Sequence, residues 1–216
     1  MTQAARPRYR RMPPEQRRQE IVDGAARVAL TSGLESVTYR SVAEELDCAR
    51  GLVHHYFPSV ESLEVEAFAT AVAADLEASF AQAQEQPDAA AALGHLLNHW
   101  VSEDPEPHKT LWLDAWCQAT RKTAIREAVD HAMRACHDRF LQLLQDGIEA
   151  GLFTHPDPVA LAWQLLTALD GLIVHSSIGV NLGIVDVRTT FIRSAEDALG
   201  LPEGALSVPA APEPAS

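Results

Sequence analysis

The chain has 216 residues, 47% of them hydrophobic and 22% charged, a composition typical of a globular protein with a sizeable core. Its three cysteines lie far apart, which excludes zinc-finger spacing and argues against a disulfide framework. The net charge is −13, but residues 1–60 contain nine arginines against seven acidic residues, while residues 61–216 contain eight basic against 23 acidic residues. These counts give +2 and −15, and they predict a small cationic module on a large acidic body.

We expect neither a secretory signal nor a membrane-spanning segment in this sequence. The arginine-rich N-terminus has no apolar core after it, so it does not resemble a signal peptide. The most apolar run, residues 159–174, is interrupted by Gln164, Thr167 and Asp170, and we expect it to be too short to span a membrane. We therefore predict a cytoplasmic protein with no membrane partner.

The first 60 residues predict three helices. A first helix over residues 14–31 ends at Gly33, Thr38 caps a short helix, and a three-residue turn leads to a second short helix over residues 50–56. Two short helices joined by such a turn, behind a longer one, form a helix-turn-helix. The apolar positions predict a shared core that comprises Ile21, Ala25, Val28, Val42, Leu46, Val53 and Phe57.

The remaining chain continues the helical periodicity, and no segment alternates like a strand, which predicts an all-α fold of about nine helices. The predicted later helices end near residues 85, 102, 120, 150, 178 and 200, with Ser59, Asp88, Asp157 and Asp186 as N-terminal caps. The predicted division is a disordered basic arm (1–13), a helix-turn-helix domain (14–60), a large helical body (61–200) and a disordered Pro/Ala-rich tail (201–216).

One stretch carries a specific resemblance. Residues 17–63 read "RRQEIVDGAARVALTSGLESVTYRSVAEELDCARGLVHHYFPSVESL". An apolar helix ends in Gly, Thr leads a V-A-x-x-L helix, and G-x-V, an aromatic-rich triplet and E-x-L follow. This order resembles the TetR family of bacterial transcriptional repressors. The "HYF" ending and "LWLDAW", "GIEAGLF" and "DPVALAWQLLTALDGL" are most similar to the betaine-operon (BetI-like) branch, so the resemblance covers about residues 15–195.

The helix-turn-helix departs from the family pattern at four positions. Ala49 stands where Ser or Thr usually caps the recognition helix, and Asp47 replaces the usual turn glycine. Val60 replaces a lysine that contacts phosphate, and His54 replaces a tyrosine. Phosphate anchoring is therefore weaker than the family standard, and we expect the arginine arm, through Arg8, Arg10 and Arg11, to compensate in the minor groove or on the DNA backbone.

Roles on DNA follow from side-chain chemistry together with this resemblance. We predict that Arg50 reads guanine edges with its forked guanidinium and that Gly51 permits close backbone approach to DNA. The remaining predicted DNA-binding residues are Thr38, Arg40, Ser41, Leu52, His54, His55 and Tyr56. Leu52 and His55 face either bases or solvent. The alternative interpretation of Arg50 and the histidines is a solvated surface.

The resemblance also implies a dimer built from the last two helices. The eighth predicted helix is apolar almost all round, which requires burial on more than one side. The predicted interface comprises Leu161, Leu165, Leu169, Leu172, Ile173 and Phe191. A central core helix within one protomer is the alternative, and Asp170 is expected to make a structural hydrogen bond near the dimer seam.

The family places an effector pocket in the body between the DNA-binding and dimerisation helices. Tryptophans are concentrated there and acidic residues accompany them, a combination that suits a cationic amine by cation–π attraction. The predicted pocket comprises His95, His99, Trp100, Trp112, Asp114 and Trp116. Tryptophans at helical spacing are also typical of core packing, and this interpretation stays open.

The function predicted from these features is a ligand-responsive transcriptional regulator, most simply a repressor, which binds a palindromic operator as a homodimer and uses no cofactor or metal. The alternatives are a non-specific architectural DNA-binding protein and a metal-dependent enzyme that uses His95 and His99. Their i, i+4 spacing can hold zinc, but Leu96 stands where a metalloprotease motif has Glu. No side chain that could act as a catalytic nucleophile has a general base at a suitable spacing, so we do not expect an enzyme.

Overall fold

The computed structural model describes residues 13–102, 107–177 and 186–207. Within these ranges the chain forms nine α-helices, a short 3₁₀ turn over Leu34–Ser36 and no strand, which confirms the all-α prediction. The helices are α1 (Pro14–Ser32), α2 (Tyr39–Glu45), α3 (Arg50–Tyr56), α4 (Val60–Gln84), α5 (Ala89–Trp100), α6 (Pro107–Ala119), α7 (Thr123–Glu149), α8 (Pro158–Ser177) and α9 (Val187–Leu199). Their ends lie within two residues of the predicted positions.

The predicted caps explain this agreement. Each cap side chain accepts a backbone N–H that the first helical turn leaves without a partner. Thr38 accepts from the N–H of Ser41, and Ser59 accepts from that of Ser62. Asp88, Asp157 and Asp186 do the same for α5, α8 and α9.

Helices α1 to α3 form a head whose core is the predicted one. Ile21 and Ala25 of α1, Val42 of α2, and Val53 of α3 are completely buried. Leu46 packs so closely on α1 that a Cβ at Gly24 would lie 2.9 Å from the leucine side chain. The three short apolar stripes therefore stabilise one another, as expected for helices too short to be stable alone.

Helix α4 joins this head to the body without a break in the core. Its N-terminal half packs against α1, and its length also packs against α5, α6 and α7. Leu63 and Phe68 are both fully buried, and Phe68 packs on Trp112 of α6, whereas Leu76 and Phe80 lie further along α4 among the other body helices. Helix α4 is therefore one continuous, closely packed connection between the head and the body.

The C-terminal segment corrects one prediction. Residues 201–207 were expected to belong to a disordered tail, but Leu206 is buried and folds back onto α5. The buried carboxylate of Glu196 accepts the N–H groups of Gly204 (3.1 Å) and Leu206 (2.9 Å), and Asn98 donates to the carbonyl of Leu206 (2.7 Å). The predicted arm residues Arg8, Arg10 and Arg11 and the tail from residue 208 lie outside the described residues.

Helix α8 is longer than its apolar run suggested. Its window Pro158–His175 is long and apolar enough, by length and composition, to cross a membrane, and 28% of the window is buried inside the protein. A helix that packs against another protein passes the same test, so length and composition do not distinguish the two cases. The expectation that this run is too short to span a membrane is corrected accordingly.

Four of the six predicted dimer-interface residues are also corrected, while Leu172 and Ile173 stay a prediction. Leu161, Leu165 and Leu169 of α8 and Phe191 of α9 are buried within the protomer, where α8 packs against α6 and α7. Side chains already covered by their own chain are not available to a second copy. Leu172 and Ile173 are half-buried. The core-helix alternative therefore describes the inward face of α8.

Candidate nucleic-acid interface and effector cavity

The recognition helix α3 presents a polar face with one arginine and two histidines to solvent. Arg50, His54 and His55 are exposed, while Val53 and Phe57 anchor the opposite side in the head core. Among the described residues, the guanidinium of Arg50 has no hydrogen bond and no ion pair. Its five donors are therefore free for an external acceptor such as a guanine edge or a phosphate.

A tyrosine outside the predicted set orients His54. The hydroxyl of Tyr39 on α2 donates to the backbone carbonyl of Phe57 (3.0 Å), which ties the start of α2 to the end of α3. The Tyr39 ring meets the His54 ring edge-on at 5.2 Å between centroids. Tyr56 is half-buried and contacts His55 at 5.3 Å. The position of Tyr39 directly after the capping threonine was the only signal for this role in the sequence.

Two of the predicted DNA-binding residues, Ser41 and Arg40, already have local partners. Ser41 accepts the N–H of Thr38 and donates to the carbonyl of Ser36 (2.6 Å), so its hydroxyl belongs to the cap of α2. Arg40 is largely exposed and makes a 2.8 Å ion pair with Glu44 one turn later. An exposed pair of this kind contributes little stability, so Arg40 can exchange it for a phosphate.

The turn between α2 and α3 has the geometry expected from its unusual residues. Asp47 has a φ of +47°, the left-handed conformation that a glycine would adopt more readily. Ala49 provides no side-chain cap for α3, because the methyl side chain of alanine cannot accept a hydrogen bond. Gly51 is exposed, and a Cβ built on it meets nothing within 4 Å. The protein's own packing therefore does not require glycine at this position.

A cavity of about 80 Å³ lies between α4, α5, α6, α7 and α8. Its aromatic walls are Trp100, Trp112, Trp116 and Trp163. The first three were predicted for the pocket, and Trp163 was not, because it stands in an apolar helix that the sequence assigned to the dimer. The tryptophans therefore combine both interpretations, since Trp100 is buried in the core and also faces the cavity.

Ring contacts hold these walls in place. The rings of Trp112 and Trp116 are 5.6 Å apart, and Trp112 is backed edge-on by Phe68 of α4 at 5.2 Å. Trp163 stacks on His137 at 4.3 Å with an angle of 18° between the rings. Such rigid aromatic faces can receive a cation without first being ordered.

Some charged side chains of the cavity have partners and one has none among the described residues. Asp75 lies 3.3 Å from His108, and the ammonium of Lys109 donates to the carbonyl of Ser102. Asp170 has neither a hydrogen bond nor an ion pair within the described part of the chain. Burial raises the pKa of this carboxyl from 3.8 to about 6.

Asp170 therefore corrects the prediction of a structural hydrogen bond at the dimer seam. Its carboxylate faces the cavity instead, where it is the acceptor left without a donor in the described ranges. The neighbouring thiol of Cys136 has its pKa raised to about 12, chiefly by burial, and so stays protonated.

Three predicted effector residues do not face this cavity. Asp114 points away from it and accepts the backbone N–H of Leu34 in the head at 3.0 Å. His95 contacts Gln82 of α4, with 3.3 Å between its Nε2 and the amide oxygen. His99 stacks on His95 at 6.4 Å. Helix α5 turns Leu96, Leu97 and Trp100 inward, which leaves both histidines on its outer side.

The described residues include no group of three or more His, Cys, Asp or Glu side chains placed to hold a metal ion. His95 and His99 therefore lack further ligands in that part of the chain, and a catalytic zinc site needs three.

Comparisons with known proteins agree with this architecture. The family model described as "Bacterial regulatory proteins, tetR family" matches residues 21–67, and that described as "BetI-type transcriptional repressor, C-terminal" matches residues 89–188. The HTH-type transcriptional repressor AcnR of Corynebacterium diphtheriae is 28% identical over 189 residues, which cover 83% of this chain and 93% of that protein. The regulator BetI of Paraburkholderia phymatum is 30% identical over 116 residues, 52% of this chain and 59% of that protein.

Among solved structures, a transcriptional regulator from Saccharomonospora viridis in complex with choline has a TM-score of 0.67 and 22% identity, covering 85% of this chain and 95% of that one. This likeness shows the fold. The two family models together span the head and most of the body, and the relatives are regulators and not enzymes. The chain belongs to the TetR family of DNA-binding transcriptional regulators, with a C-terminal domain of the BetI type.

Proposed function

We propose that this regulator is a repressor that binds a palindromic operator as a homodimer and releases it when a small cationic amine occupies the α4–α8 cavity. It would act in the cytoplasm on the nucleoid, where the bacterial chromosome lies. Neither a cofactor nor a metal enters this proposal. The non-specific architectural alternative predicts equal affinity for unrelated DNA, and a competition assay distinguishes it.

The operator would be read mainly by Arg50. Its exposed guanidinium fits a guanine edge, and one bidentate pair contributes about 1–3 kcal/mol of discrimination. Selection of bound DNA from a random pool provides the operator sequence. We expect a palindrome, with Arg50→Ala relaxing the preference at one base pair of each half-site. A selected pool without any consensus would contradict the proposal.

Two heads are needed because a single one contacts few phosphates. The outward face of α8 and α9 would join the protomers, since it is solvent-exposed and its side chains are mostly small. It comprises Ala160, Gln164, Thr167, Ala168, Gly171, Thr190, Ser194 and Asp197. A Cβ at Gly171 meets nothing within the protomer, so Gly171→Arg is expected to leave the fold intact and abolish the dimer. Sedimentation equilibrium tests this, and a Gly171→Arg dimer as stable as wild type would contradict the interface.

The observation that carries the effector is the carboxylate of Asp170 beside the tryptophans, which has no hydrogen bond or ion pair among the described residues. Asp75 and Lys109 have local partners, so a cation next to Asp170 would gain a charge without displacing an existing pair. The aromatic faces of Trp112, Trp116 and Trp163 would attract the same charge. The choline held by the structurally similar Saccharomonospora viridis regulator supports this class of ligand.

Titration of the intrinsic tryptophan fluorescence with choline and a panel of primary and quaternary amines tests the proposal. We expect saturable binding whose affinity falls as the pH is lowered through about 6, because protonated Asp170 no longer attracts a cation. Asp170→Asn is expected to weaken binding at least tenfold. The matched control is Asp130→Asn, since that carboxylate is exposed and paired with Arg134. Failure of every cation to bind would contradict this part of the proposal.

A further inference from the structure

We propose that Asp114 is a positioning residue that transmits the state of the cavity to the DNA-binding head through its hydrogen bond with the backbone N–H of Leu34. This contact, called the α6 latch below, joins residues 80 positions apart in the sequence. The inference rests on the proposed function, because it concerns how occupation of the cavity reaches the operator.

The α6 latch is a close and specific contact. The carboxylate oxygen Oδ2 of Asp114 lies 3.0 Å from the nitrogen of Leu34, a completely buried residue. The preceding Gly33 has a φ of +88°, and a Cβ there would lie 2.7 Å from the same oxygen. Glycine is thus required both by the backbone conformation and by the approach of the carboxylate. A charged acceptor also makes this one of the stronger kinds of hydrogen bond.

Helix α6 places the latch opposite the cavity. Asp114 is two residues from both Trp112 and Trp116, so its side chain leaves the helix roughly 200° away from theirs. One side of α6 therefore lines the cavity while the other holds the head. A helix moves as a rigid element, so a ligand that displaces the tryptophans would displace Asp114 with them.

The head end of the latch leads directly to the helix-turn-helix. Leu34 begins the 3₁₀ turn, whose last residue, Ser36, accepts a hydrogen bond from the hydroxyl of Ser41 (2.6 Å). Ser41 in turn completes the cap of α2 with Thr38. Helix α2 packs on α3, which carries Arg50. The path from Trp112 to the recognition helix therefore crosses one hydrogen bond between body and head and otherwise follows rigid local structure.

A second tie reaches α4 instead of the head turn. Lys122, which follows α6, donates to the buried carboxylate of Glu64 and to the amide oxygen of Gln118, both at 2.6 Å. This tie holds the end of α6 against α4 when the latch is removed. Loss of the latch alone should therefore uncouple the turn without releasing α6 from the body.

The experiment compares Asp114→Ala with Asp114→Asn, whose amide oxygen can still accept the N–H of Leu34, and with the control Asp130→Ala. The first readout needs no ligand. Hydrogen exchange of the Leu34 amide in the full chain is expected to accelerate at least tenfold in Asp114→Ala, and much less in Asp114→Asn. Equal exchange in Asp114→Ala and wild type would overturn the latch.

The second readout measures coupling, with choline as the probe and the selected operator as the DNA. We expect choline to weaken operator binding by wild type about tenfold, within the usual range of coupling between two sites. Asp114→Ala should keep the choline affinity close to wild type and lower the melting temperature modestly, because the buried N–H of Leu34 loses its acceptor. It should lose most of the weakening of operator binding by choline, and Asp114→Asn should restore most of it. Release of the operator by choline to the same extent in Asp114→Ala and wild type would overturn the proposal.

These outcomes separate the latch from the effector. If wild type binds no choline, the proposed effector is wrong, and the latch is then decided by Leu34 exchange together with operator affinity in the absence of choline. Changes in both for Asp114→Ala, absent from Asp130→Ala, support it. Unchanged values overturn it.

Discussion

The head and the body of this regulator satisfy their polar groups in opposite ways. In the head, the buried groups find local partners, as Tyr39 does with the carbonyl of Phe57, and the unpaired donors of Arg50 point outwards. In the body, the side-chain nitrogens Gln118 Nε2 and His137 Nε2 are buried without a partner in the described part of the chain. The unpartnered carboxylate of Asp170 lines the cavity nearby.

This difference reflects the size of the partners. DNA is larger than the head, so its contacts lie on the outside and cost the fold nothing. A small ligand must be surrounded, so the protein groups that contact it are buried away from water. Polar groups among them have no partner until the ligand binds. Under the proposed function, stability and recognition are therefore separable in the head and opposed in the body.

The largest expected effect tests packing in the body. A Cβ at Gly147 of α7 would lie 2.2 Å from ring carbons of Phe153, which is buried. Gly147→Ala should destabilise the protein by about 3 kcal/mol, because the ring cannot move without disturbing its neighbours. Denaturant unfolding measures this. The matched control is Gly51→Ala, and equal stabilities of the two variants would break the comparison.

The next prediction concerns Asp170. Its folded-state pKa of about 6 exceeds the ordinary 3.8, so the folded protein favours the protonated carboxyl. The contribution of Asp170 to the free energy of unfolding is therefore highest at low pH and falls as the pH rises through about 6. Asp170→Asn should therefore be more stable than wild type by about 3 kcal/mol near pH 8, where the carboxylate is ionised, and nearly equal in stability near pH 4. Thermal unfolding across this pH range checks the sign. A destabilised Asp170→Asn at high pH would show that the carboxylate has a partner after all.

A smaller effect sharpens the comparison in the head. Gly51→Ala adds a methyl group into open space, so it should leave stability unchanged or raise it by about 0.5 kcal/mol, since Ala is the better helix former. Operator binding should weaken by about 1 kcal/mol if the backbone approaches DNA at this point. Denaturant unfolding measures the stability of this variant, and operator titration measures its affinity for DNA. Wild-type affinity would mean that Gly51 faces solvent in the complex.

The smallest effect concerns Arg40. Because its ion pair with Glu44 is exposed, Arg40→Ala should leave the melting temperature unchanged. Operator binding should weaken evenly across sequences, with the salt dependence reduced by about one ion, if the side chain holds one phosphate. Titrations at several salt concentrations test this. An unchanged salt slope would assign Arg40 to solvent.

The sequence predicted the head more completely than the body. Caps such as Thr38 and Ser59 and the stop at Gly33 are local signals, and they placed every helix end within two residues. Gly51 and Arg50 could be assigned because an outer face of a helix follows from its apolar stripe. Trp112 and Trp116 were found by composition, but their orientation needed the neighbouring helices.

The errors share one physical cause, since each depended on which face of a helix another part of the chain covers. The leucines of α8 were assigned to a dimer because the helix is apolar almost all round, yet α7 and α6 cover several of them. Asp114 was assigned to the pocket because it stands between two tryptophans, but the helical rotation turns it towards Leu34. Leu206 was assigned to a disordered tail because the acceptor for its segment, Glu196, lies on α9.

The sequence by itself determined the family, the helices and the exposed face of the recognition helix, because capping, periodicity and the helix-turn-helix pattern act over a few neighbouring positions. Only the tertiary structure brought Asp170 and Trp163 into one cavity with Asp75 and placed Asp114 on the head. These residues are distant in sequence, and their burial, their pairing and the raised pKa of Asp170 arise only when five helices close around the same space.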